Sequence, residues 1–198
     1  MTSEDRPTPE AEVIPAWRKL WQSQKDNVLT LAIALVLALL IRGFVAESRY
    51  IPSVSMEPTL TPGDRIVVEK LSYRFRQPEA GDIIVFHTPL PLQAIGYAPE
   101  QAFIKRVIAV AGQTVAVQQG QVYVDSQPLS ESYIAETPQY ELAPVSVPEG
   151  ALFVMGDNRN NSNDSHIWGF LPLSNLIGRA NLRFWPIEHI NWLRSPLP

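Results

Sequence analysis

Val28–Ile41 contains no charged residue and is dominated by Leu, Ala, Val and Ile, which limits the chain's options more than any other feature. Past Arg42 the apolar character resumes through Gly43, Phe44, Val45 and Ala46. A helix needs about 20 residues to cross a hydrocarbon core of about 30 Å. Residues 27–46 meet that requirement, with Arg42 snorkelling toward the headgroups. A buried core helix and a cleaved export signal are the alternatives. A signal would need small residues near the end of the run, and a cut after Ala46 would leave bulky Phe44 upstream of it. The leader before the run is also long for a signal peptide, so an uncleaved transmembrane helix over 27–46 fits best.

The flanks carry less information. Residues 1–26 form an N-terminal segment in which Met1–Glu12, rich in Pro, Glu, Asp and Thr, is expected to be disordered. Trp17 and Trp21 then share a helical face beside Arg18, Lys19 and Lys25, a combination suited to a cytoplasmic interfacial belt. Arg42 and Arg49 on the other flank weaken the charge asymmetry, so an inside N-terminus is only a lean.

Composition excludes several chemistries. With no cysteine, thiol catalysis, disulfide frameworks and Cys-based zinc sites are ruled out. The three histidines, His87, His166 and His189, show no metal-ligand spacing, so neither a metal nor any other cofactor is expected. The net charge is −4 and no Lys/Arg cluster interleaves with aromatics, so nucleic acid is not an expected partner.

Beyond Glu47 the helical period gives way to short runs rich in Val, Ile, Phe and Tyr, punctuated by Gly, Pro and Asn. Strands are expected at Arg65–Glu69, Asp82–Phe86, Phe103–Val110, Thr114–Val117, Gln121–Val124, Leu152–Met155 and Gly178–Trp185. Gln118–Gln119–Gly120 reads as a hairpin turn, and Leu90–Glu100 and Ser130–Pro148 read as surface excursions. The 18 prolines argue against long helices. The expected fold is mainly β: one N-terminal transmembrane helix, then a mostly antiparallel β-sheet domain over 47–198.

Three segments could carry chemistry. In Ile51-Pro52-Ser53-Val54-Ser55-Met56-Glu57-Pro58 two serines are held between prolines that stiffen the backbone, and the residues alone do not choose between them. In Phe103-Ile104-Lys105-Arg106-Val107 a strand would place Lys105 on one face with Phe103, Val107 and Ala109, and Arg106 on the other. Burial there would lower the lysine pKa and make it a usable base. The third, Gly156-Asp157-Asn158-Arg159 through His166, is dense in turn formers that can pin side chains beneath a site. Asp157, Asn161 and Asp164 invite a calcium reading, but their spacing does not fit an EF-hand loop.

Together these segments resemble the boxes of the bacterial type I signal peptidases, single-span form. Residues 51–60 resemble the nucleophile box, Gly63-Asp64 and Gly81–Phe86 the next stretch, Ile104–Val107 the general-base box, and Gly156–Gly169 the last box. They occur in family order from Tyr50 to about Pro172. The resemblance implies a membrane-bound serine endopeptidase that removes signal peptides from exported preproteins after Ala-x-Ala-type sites, through a Ser/Lys dyad and an acyl-enzyme. It implies Ser55 as nucleophile, Lys105 as base, and the Ser53 hydroxyl and Ser55 N–H as oxyanion donors. Ser162 would orient the lysine, and Ile51, Leu60 and Ile104 would line the substrate pocket. Expected partners are preproteins and the lipid bilayer. A monomer is expected, in a bacterial inner or plasma membrane or a thylakoid membrane, with the catalytic domain on the extracytoplasmic face.

Two positions depart from the family pattern: Asn160 stands where an aspartate is common, and His166 where an arginine is. The rivals are a Ser-His-Asp hydrolase, which needs His87 or His166 beside Ser55, a Ser/Lys protease with another substrate, as in self-cleaving repressors, and a non-enzymatic membrane-tethered module that binds a partner.

Overall fold

The computed structural model describes residues 16–195. The N-terminal unit contains a helix, α1 (Ala16–Leu40). Its winding widens over Ile41–Val45, and residues Asn27–Val45 are long and apolar enough to cross a membrane, with none of their side chains buried. The strand that follows begins at Ala46, where the sequence reading had placed the last residue of the span. The expected disorder of Met1–Glu12 and the side chains of Trp17 and Trp21 lie outside the described residues.

The second unit is built on antiparallel sheet. Its elements are β1 (Ala46–Tyr50), β2 (Arg65–Glu69), α2 (Ser72–Phe75), β3 (Ile83–His87), α3 (Leu90–Gln93) and β4 (Ala102–Val110). Next come β5 (Thr114–Gln118), β6 (Gln121–Val124), β7 (Gln127–Pro128), β8 (Leu142–Ser146) and β9 (Ala151–Met155). The chain closes with α4 (Ser165–Trp168), β10 (Leu171–Pro172), β11 (Leu176–Trp185) and β12 (Asn191–Trp192). The larger sheet runs β1-β2-β11-β3-β4-β9-β10 with β12 on β11, and the smaller runs β7-β6-β5-β8.

Each expected strand is present to within two residues at either end. The hairpin between β5 and β6 closes on Gln119 and Gly120, both at positive φ (51° and 76°), with Gln118 opposite Gln121. Five strands escaped the sequence reading: the two-residue β7, β10 and β12, and the longer β1 and β8. β1 starts on the residue read as the end of the span, and β8 lies within what read as a surface excursion. β8 earns its place by pairing with β5, a partner distant in sequence.

β4 is central, flanked by β3 and β9 and buried on both faces. Phe103 and Val107 share one apolar cluster, as expected. Ala109 does not join them: the ladder with β9 shifts register between Val107 and Ala109, and Ala109 packs with Ile108 in another cluster. Arg106 points into the protein and is as buried as its neighbours. Simple alternation had not required that.

Candidate active site

The nucleophile segment leaves β1 and closes a loop on itself. The Ile51 amide donates to the Asp64 carbonyl and the Gly63 amide to the Ile51 carbonyl, both at 2.9 Å. Within the loop Val54–Met56 makes one 3₁₀ turn, capped by Ser53, whose hydroxyl accepts the Ser55 N–H at 3.2 Å. Ile51, Met56 and Leu60 drive apolar side chains into the core cluster beneath, and that burial holds the turn in place.

Lys105 rises from the middle of β4 and is only 3% exposed. Its Nζ donates to Ser55 Oγ at 2.8 Å and to the Ile104 carbonyl at 3.0 Å. Burial pulls its pKa from 10.5 down to about 8, opposed by the negative charges of Asp164 and Asp157. The two residues chosen from different parts of the sequence are thus in direct contact.

The loop after β9 supports both. Arg106, the neighbour of Lys105, makes a buried two-point pair with Asp157 (2.8 and 2.6 Å), which also accepts the Thr59 hydroxyl at 2.5 Å. Asn158 donates its backbone N–H to the Ser55 carbonyl at 3.1 Å and its side-chain amide to the Val54 carbonyl at 3.2 Å. Asp164 accepts the Gly156 N–H at 2.8 Å through Oδ2 and meets His166 Nδ1 at 2.7 Å through Oδ1. A side chain at position 156 would overlap the Ser55 carbonyl oxygen and Ser162, so glycine is required there by close approach. Both carboxylates that invited a calcium reading are therefore engaged by protein groups.

The remaining expected residues divide. Ile51 and Ile104 line a cavity of about 170 Å³ together with Tyr50, Pro52, Ile66 and Val85. Leu60 does not line that cavity; it is fully buried in the core below. Ser53 and the Ser55 amide bond to each other in this state, so neither is directed at an incoming oxygen. Ser162 is buried beside Gly156, but among the described residues its hydroxyl has no hydrogen-bond partner, and the bonds of Lys105 go elsewhere. No described histidine bonds to Ser55. His166 pairs with Asp164, as a triad histidine would, but its ring stacks on Tyr140.

The sequence reading missed the Arg106–Asp157 pair, Asn158 and the two tyrosines, Tyr133 and Tyr140, that cover this loop. The pair left a faint signal, an arginine within an otherwise apolar strand; Tyr133 and Tyr140 left none, because only the folded chain brings them here.

The family described as signal peptidase, peptidase S26, matches residues 24–185. A probable signal peptidase I-1 of Synechocystis sp. is 66% identical over 175 residues, covering 88% of this chain and 89% of that one. A signal peptidase I of Leptolyngbya laminosa is 49% identical over 202 residues, covering 99% and 98%. A probable thylakoidal processing peptidase 2 of Arabidopsis thaliana is 48% identical over 158 residues, covering 80% of this chain and 43% of that one.

Proposed function

Because the chain belongs to the signal peptidase family, peptidase S26, we propose that it cleaves exported preproteins with Ser55 as nucleophile and Lys105 as general base. Removal of signal peptides is the activity of that family; the residues that perform it here are our assignment. One observation carries the assignment: a buried lysine whose amine sits 2.8 Å from a serine hydroxyl.

The chemistry follows from that contact. In its neutral form Lys105 accepts the Ser55 proton as Oγ attacks the scissile carbonyl. The lysine then gives that proton to the leaving amine as the C–N bond breaks, leaving an acyl group on Ser55. A water deprotonated by the same amine releases the new C-terminus. The oxyanion would take the Ser55 N–H in place of the Ser53 oxygen, and the Ser53 hydroxyl would rotate from acceptor to donor. Such a donor is typically worth about 3–4 kcal/mol in the transition state.

The cavity beside Ile51 and Ile104 suits small apolar side chains upstream of the cut, which supports cleavage after Ala-x-Ala-type sequences. Ser162, buried next to the site with a free hydroxyl, would bond the lysine head once substrate rearranges it. The apolar helix would anchor the enzyme in a plasma or thylakoid membrane as a single pass, with its N-terminus cytoplasmic and the β domain on the opposite face.

The test is cleavage of a preprotein by the full-length protein in detergent. Ser55→Ala and Lys105→Met should abolish turnover, while His87→Ala should keep it. Activity should rise with pH through about 8 as Lys105 loses its proton. Cleavage that survives Lys105→Met would refute the dyad.

A further inference from the structure

Both departures from the family pattern, Asn160 and His166, contact the same segment. The stretch Glu131–Tyr140, between β7 and β8, crosses the loop after β9 and docks on it. Glu131 pairs with Arg159 at 2.7 Å. Tyr133 lays its ring 4.1 Å from the Arg106 guanidinium. Asn160 accepts the Gln139 N–H at 2.8 Å and donates to the Thr137 carbonyl at 3.1 Å and to Glu136 at 3.2 Å. An aspartate could not make those two donations, which accounts for the amide at this position. Finally, the Tyr140 ring lies on His166 at 4.0 Å and 10° between planes.

We infer that Tyr140 and His166 are positioning residues for the Ser55–Lys105 pair: the stacked rings fix the Asp164 carboxylate that holds the Gly156 N–H, at the head of the loop whose Asn158 N–H donates to the Ser55 carbonyl. Every link in this chain is a contact already described. Tyr140 restrains the imidazole, the imidazole takes one oxygen of Asp164, and the other oxygen takes the Gly156 N–H. A side chain on Gly156 would meet the Ser55 carbonyl oxygen, so the loop backbone passes close to the serine. His166 replaces the geometric part of an arginine with a ring that the tyrosine clamps.

A second consequence is electrostatic. Asp164 is fully buried and its negative charge favours protonated Lys105, working against the burial that makes the lysine a base. The His166 ring nitrogen on Asp164 Oδ1 fixes where that charge sits relative to the lysine. Other charged groups face the cluster: Asp157, held by Arg106, on the Lys105 side, and Arg159 with Glu131 on the Tyr140 side.

The inference rests on the dyad reading, so its test needs a readout that does not depend on cleavage. Competitive labelling of the full-length protein with acetic anhydride, followed by mass spectrometry, reports the protonation of Lys105 directly. His166→Gln keeps a donor for Asp164 but loses the stacked ring, freeing the carboxylate to turn toward the ammonium, and it should raise the Lys105 midpoint by about half a pH unit. Tyr140→Leu should move it the same way. In preprotein cleavage both should lower kcat by about 10–100-fold with KM nearly unchanged. His166→Arg, a planar cation that can stack and bond, and Tyr140→Phe should restore both readouts. Unshifted Lys105 titration in His166→Gln and Tyr140→Leu overturns the inference. So does a loss equally large in the Arg and Phe variants, or one that only tracks a falling melting temperature. A wild-type protein that labels as expected yet cleaves no preprotein would instead count against the proposed function.

Discussion

Replacing Lys105 by methionine should abolish turnover and, at neutral pH, make the protein more stable. Folding takes this lysine from a pKa of 10.5 to about 8 in a site only 3% exposed to solvent. At about 1.4 kcal/mol per pH unit, that depression is a penalty of about 3 kcal/mol on the folded state. The sign is set by proton counts. Below pH 8 the lysine is charged in both states and the full penalty applies; between about 8 and 10.5 the unfolded chain holds more protons, so stability rises with pH; above 10.5 the penalty is gone. Methionine removes the penalty but also two hydrogen bonds, each worth about 1 kcal/mol. Lys105→Met should therefore be about 1 kcal/mol more stable than wild type at pH 6 and about 2 kcal/mol less stable near pH 11. For a chain of this size the swing amounts to roughly 6–12 °C in melting temperature. Thermal melts of both proteins in the same detergent across pH 6–11 measure it. A stability difference that does not change with pH would show that the amine carries no burial penalty, and the argument for a neutral base would fail with it.

Three further outcomes follow from the geometry. Ser53→Ala should lower kcat by about 10²–10³-fold with a smaller change in KM, and Ser53→Thr, which keeps the hydroxyl, should retain most of the rate; an unaffected Ser53→Ala would remove Ser53 from the oxyanion site. Gly156→Ala would drive a methyl into the Ser55 carbonyl, costing about 1–3 kcal/mol in denaturant unfolding as well as activity, and a stable, active variant would contradict the close approach. Arg106→Met strands the buried Asp157 charge at a cost of about 3–5 kcal/mol, of which adding Asp157→Asn should recover a large part in the same unfolding assay.

Much of the enzyme was legible before folding, and for a consistent reason. The apolar run, the β-branched strands and the turn at Gln119–Gly120 are encoded in near neighbours, so periodicity and backbone preference report them directly. Motif order singled out Ser55 and Lys105, and the fold brings the two into contact. The errors came where distant segments decide. Leu142–Ser146 is a strand only because β5 offers it an edge, and Ala109 leaves the face of Lys105 because β9 shifts the ladder. Leu60, expected beside Ile51 and Ile104 in a pocket, shares their core cluster but does not line their cavity.

Sequence alone therefore settled the parts list of this protein: an apolar helix, a β domain, a serine and a lysine in recognisable settings. Tertiary structure decided what that list could not express. It put the Lys105 amine 2.8 Å from the Ser55 hydroxyl, removed it from water, and set the loop after β9 against the serine's own backbone. It also gave partners to Asn160 and His166, the two departures from the family pattern. Hydrogen bonds and ring stacking act over a few ångströms, and only the folded chain brings residues 131–140 that close to residues 156–166.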